Sequence, residues 1–508
     1  MNIRRYISTL CLVILLWGMG MEKGWSQTPN RPVPPGFPEY EFLQYGAPAD
    51  GYFLTGPWGT SSVGSFHNAL AMLDGAGYLV WFSETNGKVF DFKWHPEGFY
   101  TYNEGNLLGL DASWFILDSN FQRIDSFQVQ GGMETDNHDF MVLQNGNYLF
   151  GGLQDSIMDL SALTFNGQPG DPNTVVIGFQ LQEFDPQHNL IWQWSSFDHV
   201  FFSEWYEEFG YNPNGWRYCQ GNAWEQDTDG NYLVSFRALN SIFKIDAVTG
   251  QVMWRLGGKA SDFTFPNDSA FSGQHDVRLL PNGHLTLFDN ANTAPAPTRF
   301  SRGVEYQLDF QNWTATRTWA YAYNVPMFSP AMGGYHPQPN GDALLSWGNT
   351  RRPDPTFTLI DAALNVRADC RFPDTYMTYR TFLQTPSFLP ERPEVTCQEG
   401  ATLELIAPPG HASYLWNTGA TTSTITVTDT GTYQVFVPAG VGMLASEPIH
   451  IAGFPLACPV VGLTPPMAAP KELLGIYDVQ GRRVKAVQRG QVFIRKYADG
   501  TYEKVVQF

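Results

Sequence analysis

One hairpin pattern recurs along this chain, and a chain that repeats a single hairpin can bury its apolar faces only by stacking several copies. In NHDFMVLQNGNYLF, from Asn137, and in QHDVRLLPNGHLTLFDN, from Gln274, a His-Asp pair starts a strand, and the glycine of an Asn-Gly turn follows eight positions after the histidine. AMLDGAGYLVWF, WHPEGFYTY, WEQDTDGNYLVSF and HPQPNGDALLSW fit the same strand, turn and apolar return strand, so six hairpins lie between His67 and Trp347. Most are followed by an Asp, a loop and a strand carrying an aromatic, as in FDPQHNLIWQW and IDAVTGQVMWRL. Four short strands per unit, repeated about six times, predict an all-β fold: a six-bladed β-propeller.

Composition points the same way. Runs of helical period are nearly absent, and 37 Phe, 23 Tyr, 16 Trp, 49 Gly and 35 Pro favour strands and turns. The formal net charge is −19; Met1–Ser26 carries +2 and Lys471–Phe508 carries +4, which leaves about −25 on the segment between them. So acidic a body excludes nucleic acid and anionic membrane surfaces as general partners, and an anionic substrate has to meet a local positive site. Arg4 and Arg5 precede a short apolar run, Leu10–Trp17, and Ser26-Gln27 offers a cleavage point, so residues 1–26 are expected to be a signal peptide. No transmembrane segment is expected in the mature chain, which is expected to be exported, with Cys219, Cys370, Cys397 and Cys458 in an oxidising compartment. Cys397 and Cys458 flank one candidate domain and are the favoured pair; Cys219 and Cys370 are either paired or free.

Past Pro393 the pattern shifts to close alternation, and residues 394–458 read as a small β-sandwich. Asp429-x-Gly-x-Tyr433 resembles the tyrosine corner of immunoglobulin-like domains, and YLWNTGATTSTITVTDTGTY is similar to the Ig-like modules of Bacteroidota surface proteins. A linker spans 459–470. Residues 471–508, with IYDVQGRRV, GQVFIRKY, a D-G turn and EKVVQF, resemble the C-terminal sorting domain of type IX secretion. That resemblance implies the type IX machinery as a partner, export across periplasm and outer membrane, and a secreted or surface-anchored protein.

Within residues 38–389, GNAWEQDTDGNYLVSFRALNSIFKIDAVTGQVMWRLGG followed by GQHDVRLLPNGHLTLFDN resembles the bacterial arylsulfotransferase family of six-bladed propellers. The resemblance implies transfer of a sulfuryl group from an aryl sulfate to a phenol, without a nucleotide donor, by a ping-pong route through a sulfohistidine. By motif match the nucleophile falls on His275, the arginine on Arg237, the asparagine on Asn222 and the assisting histidine on His138. One position departs: the family's H-x-N segment reads Gln220-Gly221-Asn222 here, and glutamine can donate a hydrogen bond to a sulfuryl oxygen but cannot carry charge or relay a proton.

The residue types suit that chemistry without the family name. Sulfuryl transfer, like phosphoryl transfer, spreads charge over peripheral oxygens, so positioning and charge stabilisation dominate. Neutral imidazole is a competent nucleophile near neutral pH, an arginine fork holds the oxygens, and a second histidine handles the phenol proton. His138, Asn222 and His275 each lie eight positions before a turn glycine, as does His67, which places them on equivalent strands around one axis. Gln220, His336, Tyr335 and His67 are the expected substrate-lining residues, with Trp94, Trp205 and Trp216 as further aromatic candidates. No cofactor and no dedicated metal motif is expected; Asp227-x-Asp229-Gly230 is a candidate calcium turn and equally a solvated turn. The rival function is a surface propeller that binds glycans or proteins without turnover, which Gln220 favours and the set Arg237, Asn222 and His275 opposes.

Overall fold

A computed structural model of the chain describes residues 30–60, 68–106, 112–296, 299–452, 457–459, 473–478, 482–484, 492–497 and 502–506. The signal peptide, His67 and all of the linker but its first residue fall outside them. The described chain is all-β apart from single short turns of helix such as Ser196–His199.

Most of the body is a series of antiparallel meanders, each of four strands. Their first strands are Val89–His95, Glu134–Val142, Gly221–Gln226, His275–Leu279 and Gly334–Pro337. Each is joined by a tight turn to its second strand, as the hairpin pattern predicts. A sixth sheet is assembled from both ends of the body: Tyr376–Gln384 pairs with Tyr52–Gly59, which leads outward to Asn68–Asp74 and Leu79–Thr85. AMLDGAGYLVWF therefore forms the outer hairpin of its sheet, not an inner one. His67 lies outside the described residues; Asn68, which follows it, begins the third strand of its sheet. The six first strands pack side by side in a ring that closes between Gly334–Pro337 and Tyr376–Gln384.

The sheets hold together through aromatic side chains. Central strands such as Tyr232–Phe236 and Ser241–Ile245 are buried at every position because neighbouring sheets cover both faces. Between neighbouring sheets Trp81 stacks on Phe121 at 4.3 Å between ring centres and Phe179 packs on Trp224, while Phe140, Phe150 and Phe184 stack across three strands of one sheet.

Exposed outer edges invite strand pairing, and two of them are capped by the chain itself. Glu41–Gln44 pairs with Val366–Arg371 on the last sheet, and Gly442–Ala445 pairs with Leu79–Thr85 on the sheet that closes the ring. The second contact belongs to the segment read as a small β-sandwich: its strands Gly442–Ala445, Val435–Ala439 and Leu415–Trp416 continue a body sheet to seven strands, while Thr396–Glu399, Leu403–Ile406 and Thr424–Val427 form a separate sheet. Tyr433 donates its hydroxyl to Asp429 O at 2.8 Å, the hydrogen bond anticipated for the corner. Cys397 and Cys458 form a disulfide, and Cys219 and Cys370 are buried free thiols. Near the C-terminus, Leu473–Asp478, Arg483–Val484, Val492–Tyr497 and Tyr502–Val506 form one further antiparallel sheet.

Because that disulfide closes a 61-residue span, replacing both cysteines by alanine is expected to cost the 394–458 segment about 2–4 kcal/mol. Faster amide exchange confined to that module is the expected signature; unchanged exchange would show that its sheet pairing with the body suffices.

Candidate active site

Register breaks aim the polar residues at the ring axis. Five of the six inner strands bulge against their partners. The residues pushed out are Tyr379 and Arg380, Asp91 and Phe92, Asp136 to Asp139, Asn222, and Asp276 and Val277. A bulge inserts unpaired residues and turns their side chains away from the normal alternation, which is why such breaks gather at functional sites. Asp91 and Asp276 take left-handed backbone (φ 54° and 59°), and Gly334 must lack a Cβ because one would lie 2.4 Å from Asp276 Oδ2.

The deeper set of these side chains is a belt of paired charges. Arg380, fully buried, reaches Asp91 through Nε (2.5 Å), Asp276 through Nη1 (2.6 Å) and Asp139 through Nη2 (3.2 Å), and Nη2 also donates to His138 O (2.7 Å). Lys93 Nζ joins Asp91 and Asp139 at 2.7 and 2.6 Å, and Arg278 joins Asp139 and Asp276 at 2.8 and 3.0 Å. His336 Nε2 lies 2.7 Å from Asp276 Oδ2. Burial alone would raise the Asp139 carboxyl, but Arg278, Lys93 and Arg380 outweigh it and hold it below the usual range. Burial likewise opposes ionisation of Asp276, and His336, Arg278 and Arg380 reverse that. Glu225 on the Gly221–Gln226 strand fares differently: burial pushes it up to about 7 despite Arg278 nearby.

A second set of groups surrounds Tyr379. The rings of His138 and His275 both meet its ring edge-on, at 5.6 and 6.5 Å between centres, and its hydroxyl donates to Asn222 O at 3.1 Å. His138 Nδ1 lies 2.8 Å from Asp136 Oδ1, so the carboxylate orients that ring. Asn222 Nδ2 donates to Gln274 O (2.7 Å), while its buried Oδ1 has no partner among the described residues. His275 is buried, with Nδ1 2.8 Å from Asn290 Oδ1 and 3.1 Å from Gly273 O, and Nε2 accepting from Met332 N at 3.2 Å. Burial, then the Arg237 charge, hold its pKa well below that of a free histidine, so the imidazole is neutral at pH 7.

Arg237 follows the second strand of its sheet. Nη1 donates to Gln220 Oε1 (3.2 Å), Nη2 to Pro330 O (2.8 Å), and the guanidinium lies over the Phe209 ring at 4.7 Å. Its Nε is buried without a partner, and no carboxylate pairs with it among the described residues. Burial lowers it to about 10, still cationic at neutral pH. An arginine held by neutral carbonyls over an aromatic face keeps an uncompensated charge for an anion.

Of the expected site residues, the structure thus brings His138, Asn222 and His275 round Tyr379, with Gln220 on Arg237 and the Arg237 charge acting on His275. His336 belongs to the charged belt and stacks on Phe382. Tyr335 does not line the site; it stacks on Trp319 at 4.5 Å inside the core. Trp94 packs on Tyr100, and Trp205 packs on Trp216, all three buried, so they frame the fold and offer no ring face to a ligand. Lys244 Nζ binds both Asp227 and Asp229, filling with an ammonium the place considered for calcium. Sequence reading missed Arg380, Tyr379, Asp136 and Asn290. A signal for the belt was present: Asp91, Asp139 and Asp276 each lie seven positions before a turn glycine, Gly98, Gly146 and Gly283.

Comparison with known proteins gives one family. Residues 113–353, a little under half of the chain, match the model described as arylsulfotransferase (ASST). The matched region contains His138, Gln220, Asn222, Arg237 and His275 and stops short of Tyr379 and Arg380. No curated protein matches the chain. Similar solved structures include a Bacteroides caccae protein of unknown function, with 12% identity, 65% of this chain and 98% of that chain covered, and TM-score 0.40. A streptogramin B lyase has 12% identity, 72% and 94% coverage and TM-score 0.33. A Staphylococcus aureus virginiamycin B lyase has 9% identity, 72% and 94% coverage and TM-score 0.32.

Two outcomes follow from the belt. Arg380→Met removes the cation shared by three buried carboxylates and is expected to destabilise by about 3–5 kcal/mol in chemical denaturation; a loss under 1 kcal/mol would mean that the belt is not needed. Glu225 ionises from about pH 4.5 when unfolded but near 7 when folded, so its contribution worsens as pH rises between them. Glu225→Gln should therefore gain about 1–3 kcal/mol at pH 8 and nothing at pH 4; an equal effect at both pH values would contradict the buried-carboxyl reading.

Proposed function

We propose that this protein is a secreted, six-bladed propeller aryl sulfotransferase that works through a sulfohistidine on His275. The observation that carries the reading is the unneutralised, half-buried Arg237 whose charge acts on a neutral, buried imidazole. That combination suits an anionic group meeting a nitrogen nucleophile, and the family match over residues 113–353 supports sulfuryl as the group.

In the first half-reaction His275 Nε2 forms a bond to sulfur as the aryl S–O bond breaks, and the phenolate leaves with a proton from His138. Arg237 faces the charge that develops on the sulfuryl oxygens, and Asn222 adds the one Nδ2 hydrogen that Gln274 O leaves free. In the second, a phenol oxygen attacks sulfur, His138 takes its proton and the N–S bond breaks. Gln220 serves here by its carbonyl oxygen, which holds Arg237 without cancelling its charge. A histidine at this position would add a titratable group beside Arg237, so the glutamine is read as a specificity change.

The organisation proposed around this centre is a propeller over residues 38–389, with each four-stranded sheet one blade, and an Ig-like module over 394–458 supported by the Tyr433 corner and the disulfide. A type IX sorting domain over 471–508 would deliver it to the cell surface or medium. A non-catalytic surface propeller that binds glycans or proteins is the second reading, supported by Gln220 and by the Met332 amide that caps Nε2.

Release of 4-nitrophenol from 4-nitrophenyl sulfate, with and without added phenol, separates the two. Phenol-stimulated release, lost by about 10³-fold or more in His275→Ala and by about 10²-fold or more in Arg237→Met, is the expected result. Folded protein that releases nothing across a range of aryl sulfates and phenols would favour the binding propeller.

A further inference from the structure

We infer that Asn290 is a positioning residue that fixes which nitrogen of His275 is the nucleophile without placing a counter-charge on that ring. The inference rests on the sulfohistidine reading for its catalytic meaning, but its geometry stands alone.

Asn290 directly follows the return strand of the His275 hairpin, Leu285–Asp289, in the run FDN, and is fully buried. Its Nδ2 donates to Ser329 O (2.9 Å) and Met332 O (3.0 Å). Two carbonyls on one side leave no choice of amide orientation, so Oδ1 is the atom that faces His275 Nδ1 at 2.8 Å. Gly273 O, 3.1 Å from the same nitrogen, is also an acceptor only. The opposite nitrogen faces a donor, Met332 N–H at 3.2 Å. Nδ1 therefore carries the hydrogen and Nε2 the lone pair.

An amide in this place does what a carboxylate would not. A carboxylate orienter would attract a second proton onto the ring and block Nε2 at neutral pH, as an opposite charge favours the charged form. The neutral amide orients the ring equally well and leaves it unprotonated beside Arg237. The contrast with His138, oriented by Asp136, assigns the two histidines different work: one keeps a lone pair for sulfur, the other exchanges a proton. In the step itself Nε2–S forms and S–O breaks. Nδ1–H stays on the ring and is held by Asn290 Oδ1, so the N-sulfo-imidazolium meets no balancing anion there and remains a good donor to phenol. The same Asn290 amide ties down Ser329 and Met332, so the Met332 N–H that covers Nε2 is held by the residue that orients the ring. Sulfur can approach only when that amide moves aside.

The test uses the full chain labelled with ¹⁵N-histidine. In the wild type, His275 should show a protonated Nδ1 and an unprotonated Nε2 throughout pH 5–8. In Asn290→Asp the ring should titrate ~1–3 pH units higher, and the acid limb of kcat/KM should move up by the same amount. A hydrogen on Nε2 in the wild type, or unchanged titration in a folded Asn290→Asp variant, would overturn the inference. Should that variant not fold, the wild-type spectrum decides alone. Absence of sulfuryl transfer in the wild type would defeat the proposed reaction, while the tautomer would still test the role of Asn290.

Discussion

The ring of strands depends on Arg380. Its guanidinium is fully buried and contacts carboxylates from three other inner strands, Asp91, Asp139 and Asp276, with Lys93 and Arg278 completing the pairing. Removing an ion from water costs several kcal/mol even after relaxation, and only dense pairing offsets that. Here each aspartate meets at least two cationic side chains. The centre of the molecule is consequently held by directional ion pairs where the space between sheets is held by aromatic packing. Directional pairs demand exact side-chain placement, and the bulges supply it.

The functional groups take their positions from that belt. His138 and Asp139 are neighbours in sequence, as are His275 and Asp276, and Tyr379 and Arg380. In each pair one residue enters the belt while the other meets the Tyr379 cluster. Anchoring the aspartates or the arginine thus aims the histidines or the tyrosine, and Arg380 reaches His138 directly through its carbonyl. Arg237 stands apart, held by carbonyls and the Phe209 ring. Among the described residues, carboxylates pair with the belt and with His138 but not with Arg237. That asymmetry favours an anionic group beside Arg237 in a chain whose overall charge is strongly negative.

Much of this was legible in the sequence. The repeat with its turn glycines gave five inner hairpins, and its eight-residue offset gave His138, Asn222 and His275. What escaped has physical causes. The sheet that closes the ring takes its inner strand from Tyr376–Gln384 and the other three from Tyr52–Thr85, so no local pattern links Arg380 to the hairpins it binds. The AMLDGAGYLVWF hairpin matched the pattern because outer hairpins obey the same alternation and turn chemistry. The aromatic candidates were misplaced because a tryptophan that packs between sheets and one that faces a ligand look alike in sequence. Pairing of Gly442–Ala445 with the edge of the body rests on main-chain hydrogen bonds, which composition does not encode.

The most direct test of the covalent route is to mix the protein with an aryl sulfate, quench within one turnover under conditions that preserve N–S bonds, and map the peptides by mass. A single sulfuryl adduct on the peptide containing His275, discharged by phenol and absent from His275→Ala, is the expected result. A protein that turns over but carries no adduct, or carries it on His138 or elsewhere, would contradict the assignment of His275 as nucleophile.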